Sequence, residues 1–151
     1  MGRRTRGALV VLALGLAVGG GAGCGSGDSA EVTTTPASLD RCQPVSAARL
    51  REIAVGLDKG PRQLTGGAMV QSADHPEVHL IAGTFIAENI PDPQVGVWAK
   101  VGPLDGDGPI IAVTRIAQAF SRWPAGTEGD GTGILDDGVA EAVACGAAAS
   151  E

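Results

Sequence analysis

Asp74, His75, Glu77 and His79 fall within six residues of one another, and imidazoles beside carboxylates form a donor set that suits zinc or copper. Ligation requires the donors to converge on one point. Two histidines four residues apart do so on a helix, but Pro76 is excluded from a helix interior and the residues after it alternate. His75 is thus placed in a turn and His79 in a strand, a solvated turn and strand edge. No metal is expected; His75 and His79 are the side chains one would have to use.

Asp105 and Asp107, in Asp105-Gly106-Asp107-Gly108, and Asp130, Asp136 and Asp137 are a second set of acids. Neither stretch carries the spaced acids and terminal Glu of an EF-hand loop, and Asp-Gly pairs build turns. Glu88 and Asp92 show no pairing that would make a general acid and base. Ser121 lies outside any Gly-x-Ser-x-Gly elbow, and only two histidines exist to act as base. No catalytic residue and no cofactor is expected. Phe85, Trp98 and Phe120 read as packing residues, whereas Trp123, beside Pro124 in a glycine-rich loop, is the candidate for a ligand or partner surface.

The elements that must position these residues form one small α+β domain over residues 42–151. In PVSAARLREIAVGL, Leu50, Ile53, Ala54 and Leu57 make one helical stripe, with Ser46 as N-cap and Gly60-Pro61 as the stop. Residues 66–73 and 77–87 are apolar runs rich in Val, Ile and Thr around an Asp74-His75-Pro76 turn, a hairpin. In the second run Val78, Leu80, Ala82, Thr84 and Ile86 share one face; Glu77, His79, Ile81, Gly83 and Phe85 share the other. Residues 94–101 and 109–115 form a second hairpin around GPLDGDG. Residues 114–121 fit either strand or helix. Asp136 or Asp137 is the candidate N-cap for a helix through Ala149. The expected fold is an N-terminal helix, a four-stranded, mostly antiparallel sheet and a C-terminal helix on one face of it.

Ahead of the domain, MGRRTRG is followed by ALVVLALGLAV and then by glycines. A basic stretch, a short apolar run and small residues are the grammar of an export signal over residues 1–23, since a membrane-spanning helix needs roughly 20 apolar residues. Gly21-Ala22-Gly23-Cys24 resembles the lipobox of bacterial lipoproteins, with Gly21 where members of that class usually carry Leu. The resemblance covers this segment alone. It implies lipidation of Cys24, a palmitate-bearing diacylglyceryl cysteine, and therefore a protein held on the extracytoplasmic face of the cell membrane by contact with membrane lipid. With two or three acyl chains such an anchor is durable. Three cysteines occur in all; once lipid occupies Cys24, Cys42 and Cys145 remain as a pair, which in an oxidising compartment closes as a disulfide and ties the two terminal helices together.

Residues 24–41 contain almost no large apolar side chain and read as a flexible linker. Thr33 to Thr35 before Pro36 suit glycosylation as well as they suit a bare linker. The full chain has a net charge of −6; without Arg3, Arg4 and Arg6, eight basic side chains face 17 acidic ones, a net of −9. Such a surface repels phosphate backbones, so no nucleic acid partner is expected. Two lysines, one asparagine and no tyrosine amid abundant Ala, Gly and Val resemble a small lipoprotein of a high-GC bacterium of actinobacterial type, a likeness that transfers no active site. The functional expectation is a non-enzymatic binding module of the cell envelope that meets an envelope protein or a small ligand. The alternative is a metal-dependent or hydrolytic envelope enzyme using Asp74, His75, Glu77 and His79.

Overall fold

The computed structural model describes residues 37–59 and 62–150. The expected signal, the lipidated Cys24, most of the linker and residues 60 and 61 lie outside the described residues; the first helix ends at Ala54, with Val55 as its C-cap, ahead of the expected Gly60-Pro61 stop. Strand β1 (Gln43–Pro44) is followed by α1 (Ala47–Ala54), β2 (Thr65–Gln71), β3 (Val78–Ala87), β4 (Ile90–Val101), β5 (Ile110–Ala112), α2 (Arg115–Phe120) and α3 (Val139–Ala148). The strands form one antiparallel sheet in the order β1-β2-β3-β4-β5. The sheet thus has five strands rather than the expected four, and the described residues hold three helices rather than two.

The extra strand is two residues long, pairing Gln43 with Met69 and Pro44 with Ala68. A pair of residues has no periodicity to read, and Pro44 is tolerated because β1 is an edge. The Ser46 cap forms as expected, its Oγ accepting from the Arg49 N–H at 3.3 Å. Strand β5 ends at Ala112, short of the expected 115, and the ambiguous 114–121 stretch is helical from Arg115, because Thr114 caps α2 by accepting from the Ala117 N–H. Strand β4 begins at Ile90, four residues ahead of the expected start, after a tight turn in which Asn89 takes φ 65°. Asparagine is among the few non-glycine residues that adopt this conformation readily. Pro91 and Pro93 disguise the strand in the sequence, and they are accommodated because β5 pairs only with Trp98 to Lys100, leaving the first half of β4 with a free edge.

Side chains alternate along each strand, so the sheet has two buried faces. Met69, Ile81, Phe85, Trp98 and Ile110 pack with Ile53 and Leu57 around α1 and with Ala117 of α2. Val70, Leu80, Ala82, Val97 and Ala99 pack with Val139, Ala142 and Cys145 of α3. The two faces expected for β3 separate in this way up to Phe85; beyond an irregularity at Phe85/Ala87, Ile86 is exposed. Gly146 permits the close seating of α3, since a Cβ there would lie 2.6 Å from that of Ala82. Covering both faces also explains why the strands are apolar in nearly every position.

Cys42 and Cys145 form the expected disulfide, with Cα atoms 5.7 Å apart. It joins α3 to the residue ahead of β1, not to α1, which packs on the opposite face. The helices are therefore not tied to each other: the bridge ties one helix to the edge of the sheet. Beside it the Arg41 guanidinium pairs with Asp137 at 3.1 Å and with Glu141.

Candidate functional site

The Asp74, His75, Glu77, His79 quartet does not converge. His75 lies in the turn, its ring over Gly131, where a Cβ would approach to 2.9 Å, and its Nδ1 is 4.0 Å from Glu77 Oε1. His79 stands on the other side of the chain, on the Ile81 face, paired with Gln71 and Lys100 in the register, so it lies in an interior strand and not at the expected solvated strand edge. Its Nδ1 is buried without a hydrogen-bond partner in the protein. Among the described residues no three His, Cys, Asp or Glu side chains gather as a metal-holding group.

The acids after Trp123 do converge, but on their own backbone. Asp136 accepts from Gly129 N–H at 3.0 and 3.2 Å and from Gly133 N–H at 2.8 Å. Asp130 accepts from the Thr132 N–H at 3.0 Å and from the Thr132 hydroxyl. Glu128 takes the N–H groups of Ile134 and Leu135, one on each oxygen, at 2.9 and 3.2 Å. Asp137 accepts from Ala73 N–H at 2.7 Å and from Arg41. Glycines at 129 and 131, with φ of 88° and 80°, supply the left-handed backbone that lets the loop fold over these carboxylates. This is why neither Asp136 nor Asp137 caps α3, which instead starts from Gly138 at φ 83° with no side-chain cap. It also leaves these oxygens facing donors rather than an open cation site.

Hydrogen bonds to the ionised form lower a carboxyl pKa. The Thr132 hydroxyl does this for Asp130, the Gly129 and Gly133 amides for Asp136, and the Ala73 amide with Arg41 for Asp137. Groups whose folded pKa is depressed contribute stability that is fully present above the unfolded value of about 3.9 and is lost as pH falls through the folded value. The loop should therefore keep its order at neutral pH and loosen only below about pH 4. Amide exchange at Gly129 and Gly133 reads this directly. Asp136→Asn should remove the charge assistance at any pH, costing about 1 kcal/mol at this partly exposed site and accelerating exchange at both glycines; unchanged exchange would contradict the geometry.

What the loop holds outward is apolar. Ile134 is 41% exposed and Leu135 87%, the most exposed large apolar side chain among the described residues. The signal for them in the sequence is slight, an apolar pair between Gly133 and Asp136. Trp123 is placed differently: it is half-buried, its indole N–H donates to Ile53 O at 2.9 Å, and the ring lies on Gly56, where a Cβ would come within 2.0 Å. The indole thereby satisfies a carbonyl in the last turn of α1.

A buried charged cluster lies at the other face. Lys100 is wholly buried and Arg49 nearly so, and both are paired with Glu52, Lys100 at 3.5 Å. Lys100 also donates to Gly108 O and Arg49 to Leu104 O, so the two cations and their shared carboxylate fasten the 102–109 loop to α1. The strand pattern conceals Lys100, since a charged residue at an alternate strand position reads as solvent-facing. No family model, curated protein or solved structure matches the chain.

Proposed function

We propose that the protein is a non-enzymatic binding module, held at the extracytoplasmic face of the cell membrane by a lipidated Cys24, and that its contact surface is the 128–137 loop. The observation that carries the contact surface is the rigid display of Ile134 and Leu135, whose backbone amides are both fixed by Glu128. Preorganised apolar side chains lose little entropy on binding and serve as anchors at the centre of an interface. Their surroundings are acidic: Glu128 and Asp130 lie in the loop, and the turn carrying Asp74 and Glu77 packs against it through His75. The complementary partner is an envelope protein with an apolar cleft rimmed by Lys and Arg. The membrane placement is supported by the Cys42–Cys145 bridge, which suits an oxidising compartment and leaves Cys24 as the unpaired cysteine.

A photo-crosslinking residue at position 135 in intact cells should yield one discrete adduct, absent when the probe sits at the exposed Asp58 and lost with Ile134→Asp. Cys24→Ala should shift the protein out of the membrane fraction. Equal adducts at 135 and 58 would remove the loop as the contact surface, and membrane retention of the Cys24→Ala variant would remove the anchor.

A further inference from the structure

A groove of about 360 Å³ runs between α1 and the segment that leads into β2. Leu50, Ala54 and Leu64 supply its apolar wall, and Arg51, Arg62 and Gln63 its polar one. Leu64 forms a firm floor: it is buried and seated over Gly83, where a Cβ would come within 3.1 Å of it. The volume is at the small end of the range for ligand pockets, and the lining has the composition such pockets use, an apolar body with a few polar groups.

The two arginines distinguish this groove from the rest of an acidic surface. Of the eight cations in residues 24–151, Arg41, Arg49 and Lys100 are committed to carboxylates. Lys59 and Arg122 donate to the carbonyls of Ala119 and Val55. Among the described residues Arg51, Arg62 and Arg115 have no carboxylate within ion-pair distance. Two of these three flank the same groove. An exposed pair of guanidinium groups beside an apolar floor offers planar donor forks to an oxyanion while the floor takes up a short hydrocarbon body.

We infer that the groove between α1 and residues 62–64 is a binding site for a small amphipathic oxyanion, its charged head between Arg51 and Arg62 and its apolar body against Leu50, Ala54 and Leu64. This site is separate from the 128–137 loop, so the module carries a small-molecule site in addition to its protein-contact surface. Neither reading depends on the other.

The test is an amide NMR titration of the full chain carrying Cys24→Ser, with the Cys42–Cys145 bridge closed, using hexanoate, 1-hexanol and acetate as probes. Hexanoate should saturate, with shifts centred on Leu50, Arg51, Ala54 and Leu64. Hexanol and acetate should each bind roughly tenfold more weakly, because each lacks one half of the recognition. Arg51→Gln with Arg62→Gln should weaken hexanoate by at least about tenfold while leaving hexanol unchanged; both side chains are exposed, and an unaltered spectrum elsewhere confirms the fold. Equal binding of hexanoate and hexanol would overturn the proposal, as would hexanoate shifts centred elsewhere or no saturation at tens of millimolar.

Discussion

Glu52→Ala should destabilise the domain by about 3 to 5 kcal/mol, far more than its position suggests, because it leaves two cations buried without their counter-charge. Glu52 is 41% exposed and sits on a short helix, where a substitution ordinarily costs less than about 0.5 kcal/mol. Its side chain, however, is the only carboxylate paired with Arg49 and Lys100 among the described residues, and Lys100 is fully buried. Carbonyl partners at Leu104 and Gly108 solvate the cations in part but carry no charge. The 102–109 loop should loosen with the cluster, since both cations reach it. Equilibrium urea unfolding measures the loss. Lys100→Met in the Glu52→Ala background should recover part of it, because an apolar side chain removes one uncompensated charge from the same space. A Glu52→Ala variant within about 0.5 kcal/mol of the parent would mean that the carbonyls alone hold the two cations.

Opening the Cys42–Cys145 bridge, by Cys→Ser at both positions, should cost up to about 4 to 5 kcal/mol on the chain-entropy account for a loop of this length. The two cysteines are 103 residues apart, so the bridge constrains nearly the whole unfolded domain. Domains of this kind total about 5 to 15 kcal/mol. Reduction should therefore take the protein close to, or through, its unfolding midpoint at 37 °C, followed by far-UV dichroism with and without reductant. Arg41 holds the same corner through Asp137 and Glu141, and its removal should add to the loss in the reduced protein. A shift below about 1 kcal/mol would show that the unfolded chain is already restricted there by residual structure.

These two sites differ in how readily the sequence discloses them. The cysteine pair is visible by counting, once Cys24 is set aside. The alternation of β3 up to Phe85, the Leu50, Ile53 and Ala54 part of the α1 stripe and the Ser46 cap are equally open, because each is a local pattern, whereas Leu57 lies beyond the helix end. Strand β1 and the start of β4 are not, since one has two residues and the other begins with two prolines. The fate of Asp136 and Asp137 was hidden for another reason. Both are good caps for a following helix, but the loop amides and Ala73 compete for the same oxygens, and that competition exists only once the loop is folded. The quartet of Asp74, His75, Glu77 and His79 shows the converse: closeness in sequence across a turn sends side chains to different faces. Lys100 and Glu52 lie 48 residues apart, and nothing local in either segment announces that they meet. The Arg51 and Arg62 pair is hidden likewise, as one belongs to a helix and the other to the approach to a strand.

The place where the disulfide enters the fold has a mechanical meaning. A pull on the chain from its amino-terminal side reaches the domain at Arg41 and Cys42, immediately before a two-residue edge strand that could be unzipped from β2 one hydrogen bond at a time. The covalent bridge lies ahead of that strand, so tension passes at Cys42 through sulfur into α3, which is bedded along β2, β3 and β4. The weak edge carries no load, and a tugged molecule resists by shearing a helix off a sheet instead of peeling a ribbon.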